Sequence, residues 1–314
     1  MVCAVCLPVI GFAVVGPPLV RQPGFRAAVV KEIAIVGSVY VSDLDGTLLR
    51  DDAVLSSFSR RILSEMLDAH LLFTVASARS TTSIRKVLAG LEFHLPVIEY
   101  NGSFITDFES GEHQIVNNVA PGIVEDICDL IAASGCAPFI STYDGAKDRI
   151  YYSNVVNDGM RWYLDDHQGD ERLRPVDDVR QSFHDKVIRL TIIGRGGLLQ
   201  ELEGAIKTRC NGAVETHCFE NSYSPGWYWL TVHDEKATKD QAIRIVMRAW
   251  GLEGSELVVF GDGDNDIRML QMADRAIVVS NATDEVKRHA TEVIGSNNED
   301  SVAKFIREDW TGAA

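Results

Sequence analysis

The chain has 314 residues, 46% of them hydrophobic and 24% charged, and its mean hydropathy is +0.00. That composition belongs to an ordinary globular protein with material for one large core or two smaller ones. The formal net charge of -15 and the lack of any long basic run argue against nucleic acid as a partner, because duplex affinity rests on Lys and Arg neutralising phosphates. A phosphorylated small molecule stays admissible if a metal ion or a few placed cations offset the local repulsion.

In chain order, residues 1–36 stand apart. Val2 to Val20 is apolar, but no Lys or Arg precedes it, so the basic start of a secretory signal is missing. Pro8, Gly11, Gly16, Pro17 and Pro18 also make it a poor spanning helix. It reads as a loosely ordered extension or as a start placed upstream of the true one. The expectation is a cytoplasmic protein without membrane association. Cys3 and Cys6 form a C-x-x-C with no second pair or nearby histidine, which suggests free thiols rather than a zinc site. Cys128, Cys136, Cys210 and Cys218 are scattered, unlike a secreted disulfide framework.

A regular alternation of elements follows. Val39 to Ser42 reads as a strand ending at an acidic loop. Ser56 or Ser57 can cap a helix whose Phe58, Ile62, Leu63, Met66 and Leu67 line one face. Leu71 to Ala76 is an apolar, parallel-type strand running into Ser77-Ala78-Arg79, with a helix after it from about 82 to 91. Pro96 to Tyr100 is a strand closed by the turn signal Asn101-Gly102. Between about 112 and 223 the texture changes: helical patterns at Ile123–Ala133 and Asp158–Asp166 mix with strands at Arg149–Tyr152 and Lys186–Ile193. The first pattern then returns. Trp227 to Val232 is a strand, Thr238 with Gln241 predicts a capping box, and Glu256 to Phe260 is a strand before Gly261-Asp262-Gly263-Asp264-Asn265-Asp266 and a helix through Met272. Ala276 to Ser280 and Thr283 to Ala290 add one more strand and helix. The whole predicts a doubly wound α/β parallel sheet over 37–111 and 224–314, with an α+β cap inserted as 112–223.

Four polar clusters sit at strand ends or helix starts, where open α/β sheets bind ligands: Asp43-Leu44-Asp45-Gly46-Thr47, Ser77, Lys239, and the Asp262 to Asp266 loop. In a D-x-D pair both carboxylates project to one side, and Gly46 permits an unusual turn or a close backbone approach. One carboxylate can attack phosphorus while the other, protonated, serves the leaving oxygen. Each carboxylate facing a phosphate charge at about 4 Å costs roughly 4 kcal/mol at an effective dielectric of 20. Mg²⁺, which takes one or two carboxylates with waters and substrate phosphate, is the usual remedy, and Asp262 and Asp266 supply further ligands. Ser77 offers a hydroxyl to a phosphoryl oxygen. Lys239 lies in a helical first turn, where the macrodipole disfavours a cation unless an anion binds there.

Together these residues resemble the haloacid dehalogenase superfamily of phosphohydrolases, whose four motifs occur in order as Asp43–Thr47, Ser77, Lys239 and Gly261–Asp266. The likeness spans about 39–306. The inserted cap, Asn101-Gly102 and the closing Ser296-Asn297-Asn298-Glu299-Asp300 are similar to the Cof-like branch. One departure is Ala78, where relatives usually have Gly. The resemblance implies Asp43 as nucleophile, Asp45 as general acid and then base, and Ser77, Lys239 and Asn265 around the phosphoryl group, with Asn101 and Gly102 beside it. It also implies Mg²⁺ held by Asp43, Asp262, Asp266 and the backbone carbonyl of Asp45. The expected activity is hydrolysis of a small phosphorylated metabolite, such as a sugar phosphate or phosphorylated cofactor, through an aspartyl-phosphate. A phosphotransferase or mutase sharing that step, or a silent phosphate-binding module, are the alternatives. Tyr143, Asp144, Arg149, Arg161 and Trp162 are cap candidates for substrate selection, while His184 and His233 read as structural or surface residues.

Overall fold

The computed structural model describes residues 37–221 and 224–310, so the Val2–Val20 stretch and the Cys3–Cys6 pair lie outside the described residues. The chain runs through β1 (Ser38–Ser42), α1 (Ser57–Asp68), β2 (Phe73–Val75), α2 (Thr81–Val87), β3 (Val97–Glu99), β4 (Phe104–Thr106) and β5 (His113–Val116). Next come α3 (Pro121–Ala133), β6 (Pro138–Tyr143), β7 (Asp148–Tyr152), α4 (Asp158–Asp166), β8 (Leu173–Pro175), β9 (Lys186–Gly194), α5 (Gly196–Cys210), β10 (Val214–Glu220) and β11 (Tyr228–Asp234). It closes with α6 (Lys239–Ala249), β12 (Glu256–Gly261), α7 (Ile267–Met272), β13 (Arg275–Val279), α8 (Asp284–Lys287), β14 (Glu292–Ile294) and α9 (Ser301–Asp309).

The core is a parallel sheet in the order β14-β13-β12-β1-β2. Its strands are apolar throughout because both faces are covered. Tyr40, Phe73, Val258, Phe260 and Ile277 pack on one side with Ile62 and Met66 of α1 and Ile306 of α9. Val39, Val41, Val259 and Val278 pack on the other with Ile243 of α6, Met269 of α7 and Val286 of α8. The sheet is therefore doubly wound. Because the chain moves outward from β1 through β2 and later returns as β12 on the opposite side, β1 and β12 are neighbours at the topological switch point. A bridge between Ala76 and Ile98 continues the sheet into the antiparallel ribbon β3-β4-β5.

A second sheet, β10-β11-β9-β6-β7-β8, forms the cap. One face packs Leu190, Ile192, Leu230 and Val232 against Ile127 of α3 and Leu202 of α5. The division expected from sequence differs at both ends. β11 pairs antiparallel with β9 and β10, so the strand expected at Trp227–Val232 belongs to the cap sheet, and residue 224 is not where the chain returns to the core. β5 pairs with β4, so the chain leaves the core after residue 112, near Asn117 and Val119, whose amides donate to Ser103 O (2.7 Å) and Val187 O (2.8 Å). An isolated apolar run does not reveal which sheet it will join.

Local signals fared unevenly. Ser56 caps α1 by accepting from Ser59 N at 3.0 Å. The Thr238–Gln241 capping box does not form: Thr238 makes no side-chain cap, its buried Oγ1 has no partner, and Gln241 Nε2 donates to Glu235 O at 3.1 Å. The helices expected at 82–91 and Thr283–Ala290 are shorter, as α2 and α8. Cys128, Cys136, Cys210 and Cys218 are free thiols. Among the described residues no helix is long and apolar enough to cross a membrane.

Candidate active site

The site grows from the carboxyl ends of β1 and β12. Asp43 directly follows β1, and its amide donates to Phe260 O at 3.0 Å, which seats it beside β12. Leu44, Leu48 and Leu49 are buried and anchor the turn that follows. In that turn Gly46 has φ 77°, and any Cβ there would drive into the Asp262 carboxylate. Only glycine allows the two acidic loops to approach this closely. Thr47 Oγ1 then donates to Asp262 Oδ1 at 2.5 Å, and Asn281 Nδ2 to Gly46 O at 2.7 Å.

Asp43, Asp262 and Asp266 each present a carboxylate oxygen within 4.8 Å of the others. Asp266, fully buried, turns Oδ2 to the amides of Asp262 (3.0 Å) and Gly263 (2.9 Å). Its other oxygen accepts from Lys239 Nζ at 2.7 Å, and the same ammonium donates to Asp43 Oδ1 at 2.6 Å. Burial pushes the Asp43 carboxyl well above its usual range, and Lys239 offsets only part of that rise. Asp262 is likewise pushed up to about 6 by burial, against the opposing hydrogen bond from Thr47. Burial also disfavours the Lys239 ammonium, yet the Asp266 and Asp43 carboxylates outweigh it and raise its pKa. Three carboxylates thus face one ammonium in a low-dielectric pocket. That donor set, oxygen-only and over-negative, suits a hard divalent cation.

The other predicted residues fall around this centre. Asp45 is not part of the triad: its carboxylate, 43% exposed, turns to Arg79, which grips it through Nε (2.7 Å) and Nη2 (2.5 Å). Ser77 is 1% exposed, its Oγ accepting from Arg79 N at 3.2 Å and its carbonyl from Asn101 N at 2.9 Å. Asn101 Oδ1 accepts from Asn265 Nδ2 at 3.1 Å. Asn101, Lys239 and Asn265 line a pocket of about 140 Å³, completed from the cap by Glu215 and His217. Gly102 also shapes the backbone here. At φ 108° it lets the Thr238 backbone pass where a Cβ would collide, so it sets the approach of α6 and hence of Lys239.

Of the cap candidates, none hydrogen-bonds to the residues just described. Arg161 is exposed, Trp162 packs beside Met160 and Tyr163, and Asp144 pairs with Arg149 at 2.6 Å. Tyr143 lies edge-on to Phe104 and His113. His184 is on the surface near Asp185. His233 is buried, with Nδ1 3.2 Å from Ser103 Oγ, and burial lowers its pKa well below the usual value. Arg189 of the cap does reach the core beside Ser77, donating to Ala78 O at 3.3 Å and lying 4.1 Å over the Tyr100 ring. Nothing local distinguishes Arg189 from any charged residue in a strand; only alternation along β9 could have marked it. Arg79 was visible in Ser77-Ala78-Arg79, but its partner was not.

A family model described as haloacid dehalogenase-like hydrolase matches residues 40–306. The chain belongs to that family. A curated relative, 5-amino-6-(5-phospho-D-ribitylamino)uracil phosphatase YitU of Bacillus subtilis, is 22% identical over 272 residues, covering 85% of this chain and 95% of its own. A haloacid dehalogenase-like hydrolase from Bacteroides thetaiotaomicron superposes with TM-score 0.71 at 24% identity, over 87% of this chain and 99% of the other. A subclass IIB sugar phosphatase, BT4131, has the same fold, with TM-score 0.67 at 20% identity over 87% and 98%. The family accounts for the doubly wound core, the inserted cap and the order of the acidic loops.

Proposed function

We propose that the chain is a Mg²⁺-dependent phosphatase that hydrolyses a small phosphorylated metabolite through a phosphoaspartate at Asp43. The observation that carries this reading is the meeting of Asp43, Asp262 and Asp266 around Lys239 at one sheet rim. The names of relatives that act on a phosphoribityl compound and on sugar phosphates support a substrate of the sugar-phosphate or phosphorylated-cofactor class.

Asp43, Asp262 and Asp266 would hold the ion, with the Asp45 carbonyl beside them. When bound, Mg²⁺ would offset the excess negative charge and polarise the phosphoryl oxygens. Asp43 attacks phosphorus, and the bond to the leaving oxygen breaks as Asp45 gives that oxygen a proton. Asp45 is 43% exposed, open to a leaving group; to deliver the proton it must first take one up and release one of the two Arg79 bonds that hold it in this structure. In the second half Asp45 takes a proton from water, which attacks phosphorus and releases Asp43. Lys239, one hydrogen bond from Asp43, is within reach of a phosphoryl oxygen there. Ser77 and Asn265 add neutral donors, and such fixed dipoles need no reorganisation as charge develops.

The deciding experiment is phosphate release from a panel of phosphorylated metabolites with Mg²⁺, paired with rapid quenching on labelled substrate. Label should appear on the wild-type protein and not on Asp43→Asn. Transfer of phosphate to a second sugar without free phosphate would instead favour a transferase, and no turnover across the panel would favour a silent module.

A further inference from the structure

A buried charged cluster not used by the proposed chemistry joins core and cap beside a pocket of about 310 Å³. His113 of β5 stands with Nδ1 3.3 Å from Glu99 Oε1 and Nε2 3.2 Å from Asp148 Oδ1. Nδ1 is also 2.7 Å from Thr106 Oγ1. With Glu99 ionised, the one Thr106 hydroxyl proton goes to it, which leaves Nδ1 as the donor in the His113–Thr106 contact. Nε2 faces a carboxylate, an acceptor when ionised, so it too carries hydrogen. Two donating nitrogens define an imidazolium. The ring is fixed by stacking on Phe104 (3.8 Å, 2°) and by the edge of Tyr143 (4.9 Å, 76°). Burial opposes its charge, but the hydrogen bonds and charges of Asp148 and Glu99 prevail and raise its pKa to about 9.

The two carboxylates lead in opposite directions. Glu99, fully buried, also accepts from Thr81 N and Thr81 Oγ1 at the start of α2. Its neighbours Tyr100 and Asn101 donate backbone bonds to Arg79 O (3.0 Å) and Ser77 O (2.9 Å). Asp148 opens β7 in the cap. The other titratable or charged groups nearby are Glu112 at the pocket wall, the Tyr143 phenol, Asp144 paired with Arg149, and Arg85 of α2 bound to the Phe108 and Glu109 carbonyls; among the charged groups of the described residues, Glu99 and Asp148 are the ones that pair with the ring.

We propose that His113 is a positioning residue, a charged clasp that holds the cap over the catalytic rim through Asp148 and braces the Ser77–Arg79 segment through Glu99. A histidine whose pKa is raised on folding stabilises fully below its unfolded value of 6.5, and that contribution is lost as pH rises through about 9. The clasp therefore opens on the alkaline side. Only the kinetic arm of its test rests on the phosphatase reading.

Ring ¹⁵N spectra of the full-length protein should show both His113 nitrogens protonated at neutral pH; a neutral ring there overturns the proposal. With p-nitrophenyl phosphate and Mg²⁺, wild-type KM should rise about fivefold, the small end of typical coupling, as pH passes about 9. His113→Gln should carry the raised KM already at neutral pH, show no alkaline step, and also lower kcat, because the brace on Ser77–Arg79 is lost. Asp148→Asn should share the raised, pH-flat KM but keep kcat, since the Glu99 arm stays intact, and the double variant should be no worse than His113→Gln. Should His113→Gln fail to fold, Asp148→Asn alone decides. Identical KM–pH profiles for wild type and Asp148→Asn overturn the clasp. Absence of any turnover in the wild type counts against the phosphatase reading, and the ring spectra then judge the clasp.

Discussion

The acidic rim of the core and the underside of the cap are both polar and mostly buried, yet they are organised differently. At the rim the acidic side chains are committed, although Thr238 Oγ1 and Asp240 Oδ1 on either side of Lys239 are buried with no protein partner. Asp266 accepts from two amides and Lys239, Asp262 from Thr47, and Asp45 from Arg79. The underside keeps capacity in reserve: Arg189 Nε and His233 Nε2 are buried with no protein partner. On the proposed reading such a rim would serve one invariant group at little cost of rearrangement, and the uncommitted cap groups would meet whatever differs between substrates. The two sheets are joined by contacts such as Arg189 to Ala78 and His113 to Asp148.

The most severe break in that division is Asp43→Asn. It should lower kcat/KM by about three orders of magnitude or more. A loss under about tenfold would remove Asp43 from the nucleophile's role. Because burial raises the Asp43 pKa above its unfolded value, the ionised carboxylate costs the fold stability at neutral pH, and Tm should stay level or rise. Chelation comes next. EDTA should abolish turnover and Mg²⁺ restore it and raise Tm. Protons compete for Asp262, whose pKa lies near about 6, so the Mg²⁺ needed for half-saturation should climb as pH falls through that value. A pH-independent titration would contradict the metal assignment.

Gly46→Ala tests the rim's tight fit. The positive φ alone should cost about 1 kcal/mol in chemical denaturation, and the new Cβ pressing on Asp262 should weaken Mg²⁺ binding as well. Unchanged Mg²⁺ affinity would mean the two loops yield more easily than their geometry implies. The mildest pair sharpens the cap side. Arg189→Ala should raise KM about fivefold, the worth of one hydrogen bond near 1 kcal/mol. Arg161→Ala, on an exposed position, should leave stability within about 0.5 kcal/mol and KM unmoved.

Asp43, Asp45, Ser77, Lys239, Asp262 and Asp266 could be picked out before any coordinates because each follows an apolar strand or opens a helix, and a carboxylate or ammonium at such a point needs a partner. Asp158–Asp166 and the core strands β1, β2, β12 and β13 were legible because their apolar pattern is local, whereas the edge strand β14, partly exposed, was not read. Gly102, read as a phosphate neighbour, also makes room for Thr238, which no local signal showed. Thr238, read as a cap, makes no cap hydrogen bond. Both features come from the packing of α6 against the Asn101 turn, a contact between segments more than a hundred residues apart.

The amino-acid order by itself determined the doubly wound core, the insertion, and the acidic residues of its rim, because periodicity, turn chemistry and motif spacing act over a few residues. Tertiary structure alone decided that β11 joins the cap, that Arg79 holds Asp45, that Arg189 rather than Arg161 reaches the core, and that His113 lies charged between Glu99 and Asp148. Strand pairing and side-chain partnership depend on which surfaces meet once the chain has closed, and no local pattern encodes that meeting.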